Sequence, residues 1–273
     1  MLPCLARILG KTNRLPPPSP DLLDDGQEGN ACATCEIEQT PSPTLTPPPA
    51  PEQVHRPRYT WALDAGHGIR TQGKRSPRLP QTVLMYNYPS IRLLEWAYNA
   101  DIVKRIAKGL EELGLSYLHT MPLGGDHGNA LRQRVRNANE HKTELPKIFV
   151  SVHGNAGPAK SLDHYAAISA QGIETWHYHN SKEGKAIAGI FQASLMAELA
   201  KHDIKMVDRG TRSKKERQFY VLEQTKMPAV LTENGFFNSV HDLHYMIKED
   251  FRQIIADAHV AAIWHIEKNG YEL

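Results

Sequence analysis

Three residues able to bind a metal or move a proton each follow an apolar run: His67 after Tyr59–Leu63, His153 after Ile148–Val152, and Glu233 after Ala229–Thr232. His67 stands between Gly66 and Gly68. Glycine admits positive φ and leaves room for close approach, so Gly-His-Gly holds an imidazole in a tight loop at a strand's carboxyl end. Taken singly, each residue is ordinary: a satisfied histidine or a solvated glutamate. In open α/β sheets, however, ligands bind beyond the carboxyl ends of the strands, and three such residues share that edge. A fourth, Glu95, lies on a helical stripe with Tyr98, Ile102, Ile106, Gly109 and Leu113. Those apolar neighbours turn it inward, where a carboxylate is costly unless paired or bound to metal. The alternative is a half-exposed glutamate favoured by the dipole at a helix's first turn.

Two histidines and a carboxylate make a zinc site of the catalytic kind, with a position left open for water. The metal ligands expected are His67, Glu95 and His153, and Zn2+ is the expected cofactor. Glu233 is then free to act as general base, taking a proton from water and passing it to a leaving nitrogen. That is amide hydrolysis without a covalent intermediate. It agrees with the absence of a Gly-x-Ser-x-Gly elbow and of any cysteine after Cys35.

These residues need strands and helices to hold them. Strand-like runs fall at Tyr59–Leu63, Ser116–His119, Lys147–Val152, Ile173–Tyr178, Gln218–Leu222 and Ala229–Thr232. Helical patterns fall at Ile91–Leu113, Asn129–His141, Lys182–Lys201 and Phe251–Lys268, with Ser181 as an N-cap and Gly114 as a C-cap. The alternation predicts an α/β fold: three αβα layers around a mostly parallel twisted sheet of about six strands, with helices on both faces. Residues 58–273 form one expected catalytic domain. Residues 1–57 form an expected disordered arm, since positions 15–57 hold eleven of the nineteen prolines and too little apolar surface to offset ordering.

Among the 273 residues the formal net charge is only +2, which gives no electrostatic case for a nucleic-acid partner. No apolar run is long enough to span a membrane. The first ten residues lack the apolar core of a secretory signal, so no targeting segment is read. Cys32 and Cys35 lack the further ligands or the strand–helix setting that zinc or redox chemistry needs, and read as exposed thiols without a catalytic role. A monomer is expected.

From Trp61 to about Ile266 the chain resembles the zinc-dependent N-acetylmuramoyl-L-alanine amidases of the amidase_3 type, bacterial autolysins and phage endolysins. The resemblance is carried by Asp64-Ala65-Gly66-His67-Gly68, by Glu95-Trp96-Ala97-Tyr98-Asn99, and by Leu131 with Arg134, Ala138 and Asn139. Ser151-Val152-His153-Gly154-Asn155-Ala156, Gly172-Ile173-Glu174-Thr175 and Pro228 through Phe236 complete it. It implies zinc on His67, Glu95 and His153, Glu233 as acid/base, and peptidoglycan as substrate. The bond cut is then the amide between the lactyl group of N-acetylmuramic acid and L-alanine of the stem peptide. Two departures touch substrate contacts and not the ligands: a longer stretch from Ile69 to Arg92 carrying Gly73-Lys74-Arg75-Ser76-Pro77, and Phe237-Asn238-Ser239 in place of the common order.

His177 and His179 alternate on a strand and are alternative ligands, though a pair near solvent is the plainer reading. Asn155 either holds the second ligand's loop or meets substrate. The basic run Arg209–Arg217 is a solvated loop, or, if it borders the cleft, a partner for stem-peptide carboxylates. Gly124–Gly128 reads as a turn. Two other functions fit the same residues: a zinc peptidase cutting within the stem peptide, and a catalytically silent wall-binding module. The absence of a signal favours a phage lysin over a host autolysin acting at the cell wall.

Overall fold

The computed structural model describes residues 55–79, 91–167 and 169–271. The expectations for most of the proline-rich arm, with Cys4, Cys32 and Cys35, lie outside these residues, as do positions 80–90 of the long stretch before Arg92.

Six strands form one sheet in the order β2-β1-β3-β6-β4-β5. They are β1 (Thr60–Ala65), β2 (Ser116–His119), β3 (Lys147–Asn155), β4 (Ile173–His177), β5 (Asp208–Arg212) and β6 (Ala229–Phe236). All neighbours pair in parallel except β4 and β6, which run antiparallel. The helices are α1 (Glu95–Glu112), α2 (Leu131–Glu140), α3 (Lys182–Lys201), α4 (Tyr220–Gln224), α5 (Val240–Met246) and α6 (Glu249–Asn269). None of them is long and apolar enough to cross a membrane.

Alternation along the strands divides the core. Trp61, Leu63, Ile148, Val150, Val152 and Val230 meet residues of α1, α3 and α6 on one face. Ala62, Phe149, Ala229 and Leu231 meet α2 and α4 on the other. Both faces are covered, so the central strands read as unbroken apolar runs. Burial reaches polar groups too. Trp61 Nε1 donates to Glu267 Oε1 at 2.8 Å, and the Arg58 amide donates to Oε2 at 2.7 Å, which satisfies a carboxylate with no solvent exposure. His259 on α6 is equally buried; its Nδ1 lies 2.7 Å from the Ile255 carbonyl and its Nε2 2.9 Å from the Thr232 hydroxyl. Burial pushes its pKa down to about 4, so the ring is neutral.

The expected caps are in place: Ser181 Oγ accepts from the Gly184 amide at 2.8 Å, and Gly114 takes φ +65° beyond the end of α1. Two expectations need correction. Gln218–Leu222 is not a strand; Tyr220–Gln224 is a short helix that packs Val221 and Leu222 against the sheet. A five-residue apolar run has no period long enough to separate the two states. The sixth strand is instead Asp208–Arg212, an edge strand of polar residues. Its residues Asp208-Arg209-Gly210-Thr211-Arg212 include no apolar side chain, so it carries none of the alternation that marks a strand. Helix α1 begins at Glu95 and not at Ile91, because Leu94 bridges to Arg75 and the Glu95 amide donates to the Lys74 carbonyl. The first helical position of α1 is therefore Glu95 itself.

Candidate functional site

β1, β3 and β6 end at one edge, and the amino end of α1 meets it there. A cleft of about 280 Å³ opens at that edge, lined among others by His67, Lys74, Glu95, His153, Phe219 and Glu233. His67 Nε2 lies 3.2 Å and His153 Nδ1 3.1 Å from Glu95 Oε1. One ligand atom from each of the three lies within 4.8 Å of the others; among the described residues this is the one such cluster of three or more. Bonds of about 2 Å at tetrahedral angles put ligand atoms roughly 3.3 Å apart, close to the two spacings to Glu95 Oε1. Buried Glu95 Oε2 and His67 Nδ1 have no hydrogen-bond partner, which is unusual for buried polar atoms. Two ring nitrogens and a carboxylate oxygen in this arrangement fit a divalent cation such as zinc.

Burial acts to raise the Glu95 carboxyl, yet hydrogen bonds and charge attraction from His153 and His67 outweigh it and hold it at about 2. Burial also pushes the His153 ring down, so it stays neutral, the state a metal ligand needs. Glu233 behaves oppositely: burial, then the charges of Glu95 and Glu174, raise it well above the usual carboxylate range, while Lys74 and Lys214 pull it back. Its Oε2 is buried and unpartnered. The β3–β6 register sets Glu233 beside His153, and the antiparallel β4–β6 register sets it beside Glu174.

The loop carrying His67 is held by an ion pair that sequence reasoning did not find. Arg134, on α2 and 1 % exposed, donates to Asp64 Oδ1 at 2.7 Å and to the carbonyls of Ala65 and His67. Asp64 also accepts from Ser151 Oγ at 2.6 Å and Thr120 Oγ1 at 2.5 Å. Burial alone would raise Asp64; the Arg134 charge and these hydroxyls hold it below its ordinary value. The one available signal was an arginine on the helical stripe Leu131, Arg134, Ala138. Opposite, Asn99 Nδ2 donates to the Gly66 carbonyl at 3.0 Å.

The glycines act by space, not by φ. His67 itself takes the left-handed conformation, at φ +64°, an uncommon state for a residue with a side chain. A Cβ on Gly66 would lie 2.1–2.5 Å from the His153 ring, and one on Gly68 2.2 Å from His127.

His177 and His179 stand apart from the cluster: β4 is antiparallel to β6, so His177 pairs with Val230 at the far end of the sheet. His177 Nδ1 faces the Tyr178 carbonyl and His179 Nδ1 faces Gln218. Asn155 holds Glu174, donating to its Oε1 at 2.9 Å. Arg209 and Arg212 of the basic run are not among the residues lining this cleft; they lie on β5 beside a neighbouring pocket with Trp176 and approach Glu174 Oε2 at 2.6 and 3.6 Å. Lys74 from the stretch after His67 lines the cleft. Gly124–Gly128 is a turn, with the Gly125 amide on the Pro122 carbonyl.

The αβα layers bring paired imidazoles and carboxylates together at the strands' carboxyl edge, a donor set that fits metal-dependent hydrolysis. The chain belongs to the N-acetylmuramoyl-L-alanine amidase family, whose Amidase_3 model matches residues 62–265. It is 29 % identical over 206 residues to the uncharacterized protein YqiI of Bacillus subtilis (strain 168), spanning 75 % of this chain and 82 % of that one. It is 28 % identical over 215 residues to the endolysin of Bacillus phage SPP1, covering 77 % of this chain and 66 % of the endolysin. The crystal structure of the N-acetylmuramoyl-L-alanine amidase from Clostridium difficile 630 superposes with a TM-score of 0.61 at 25 % identity, over 78 % of this chain and 99 % of that chain.

Proposed function

We propose that residues 58–273 are the catalytic domain, that His67, Glu95 and His153 hold a zinc ion, and that Glu233 carries the proton. The reaction is hydrolysis of the amide between N-acetylmuramic acid and L-alanine of the stem peptide. One observation carries the reading: a ring nitrogen from each of His67 and His153 lies within 3.2 Å of the buried, ionised carboxylate of Glu95, while a second buried carboxyl, its acidity weakened, shares the cleft. Zinc bound there supplies Lewis acidity toward water and the amide carbonyl. His67, Glu95 and His153 present fixed donors, so little reorganisation accompanies the reaction. Glu233 Oε2 has no competing partner, so it can accept a proton from the attacking water. The same group then protonates the leaving amine of L-alanine. A carboxyl held above its ordinary range suits a group that both takes and returns a proton. The substrate places the action at the cell wall.

The test is digestion of purified sacculi with and without chelator, reading released peptides by mass spectrometry. Intact stem peptides with a free L-alanine amine, lost with chelator and restored by zinc, are expected. Glu233→Gln is expected to lower turnover by about 10²–10⁴-fold while keeping its zinc. Peptides cut internally would establish a peptidase instead, and whole sacculi with zinc present would refute the enzyme reading.

A further inference from the structure

A cationic and aromatic cluster meets the cleft at Phe219, which lines it. Trp176 Nε1 donates to Glu174 Oε1 at 2.9 Å, which fixes the indole. Phe219 meets that ring edge-on, with centroids 5.2 Å apart. The Lys214 ammonium lies over both rings, 4.6 Å from the Trp176 centroid and 4.2 Å from that of Phe219. Its neighbours differ in charge balance. Arg209 is bonded to Glu174 and Arg212 leans on the same carboxylate, whereas no carboxylate pairs with Lys214 among the described residues. A half-buried ammonium on aromatic faces has lost part of its hydration and has its position fixed, an arrangement that costs little further ordering when an anion arrives. Lys74 lines the cleft from the loop after His67, and the charges of Lys74 and Lys214 both reach Glu233.

We propose that Lys214, held on Trp176 and Phe219, is a specificity residue that binds a free carboxylate of the stem peptide. This deepens the amidase reading and rests on it for the identity of the ligand. In that assignment Glu174 holds Arg209 at 2.6 Å and draws Arg212 at 3.6 Å, while Lys214, with no carboxylate of its own among the described residues, is the seated cation left to pair with substrate. The Ile69–Arg92 stretch supplies Lys74 as a second, more exposed cation lining the cleft.

Binding rather than turnover separates this proposal from the catalytic one. The ligands are two soluble muramoyl-peptides differing only in whether the stem-peptide carboxylates are free or amidated. Zinc-loaded full-length Glu233→Gln protein is titrated with each by calorimetry. The free-carboxylate ligand is expected to bind about 5–10-fold more tightly, the range of a partly exposed charge pair. Adding Lys214→Met is expected to cut that preference to below twofold while leaving affinity for the amidated ligand within twofold, and Lys214→Arg is expected to restore it. Unchanged thermal unfolding of Lys214→Met separates the result from misfolding. Equal affinity of the parent for the two ligands, no binding of either, or an equal loss for both ligands in Lys214→Met overturns the proposal. A protein that binds with this preference yet leaves sacculi whole would keep the subsite and lose the enzyme reading.

Discussion

Ser151 Oγ lies 3.1 Å from His153 Nε2, and the same hydroxyl is 2.6 Å from Asp64 Oδ2. A hydroxyl has one proton to give. Donated to the ionised Asp64, it leaves the Ser151 oxygen to accept from His153 Nε2–H. With a metal ion in the site, that bond would hold the ring proton on Nε2 and leave the Nδ1 lone pair free for the ion in place of the bond to Glu95. Ser151→Ala is therefore expected to weaken zinc binding by about 10–100-fold with a stability loss of roughly 1–3 kcal/mol. Competition with a chelating dye measures the first and chemical denaturation the second. Unchanged zinc affinity would refute the tautomer assignment.

Gly66 leaves its space to the His153 ring, and an alanine methyl there would sit 2.1 Å from the nearest ring atom. Gly66 is not among the positive-φ residues, so alanine meets no backbone obstacle and the ring must move. Gly66→Ala is expected to remain folded and to lose at least about tenfold in zinc affinity, the loss that displaced ligand geometry brings. Metal analysis after gel filtration, beside a circular dichroism melt, reads both quantities.

Arg134 and Asp64 form a buried ion pair, each side chain 1 % exposed. Removing one partner strands the other charge in the interior, at a cost of about 3–5 kcal/mol. For a domain of this size that lowers Tm by roughly 10 °C. Arg134→Met is expected to show this loss. It should also lose activity beyond what unfolding explains, because the carbonyl of His67 gives up its anchor. Calorimetry at pH 7 and residual sacculus digestion well below Tm check the two parts.

His259 predicts a pH dependence of stability. Folded, it titrates at about 4; unfolded, at its ordinary 6.5. Between these values the unfolded chain binds the additional proton, so the His259 contribution is complete above pH 6.5 and disappears as pH falls toward 4. From pH 7 to pH 5 the loss is about 2 kcal/mol. Urea denaturation should show His259→Asn with a flatter dependence over that interval. A slope equal to the parent's would assign the acid sensitivity to other groups.

Much of this protein can be read along the chain. His67, His153 and Glu233 each close an apolar run, and Glu95 stands on an apolar stripe, because strands and helices repeat with fixed periods and their ends fall on one sheet edge. The proline-rich composition and the absence of cysteine after Cys35 are likewise properties of the chain itself. Tertiary structure decided the rest. β5 is a strand because β4 pairs with it, not because its polar residues prefer one. The antiparallel setting of β4 sends His177 away from the site and brings Glu174 beside Glu233, and no local pattern encodes strand direction. The left-handed φ of His67, the Arg134–Asp64–Ser151 chain behind it, and the seat of Lys214 on two rings join residues far apart in sequence. They arise when distant segments share one low-dielectric space, where each buried polar group must find its partner.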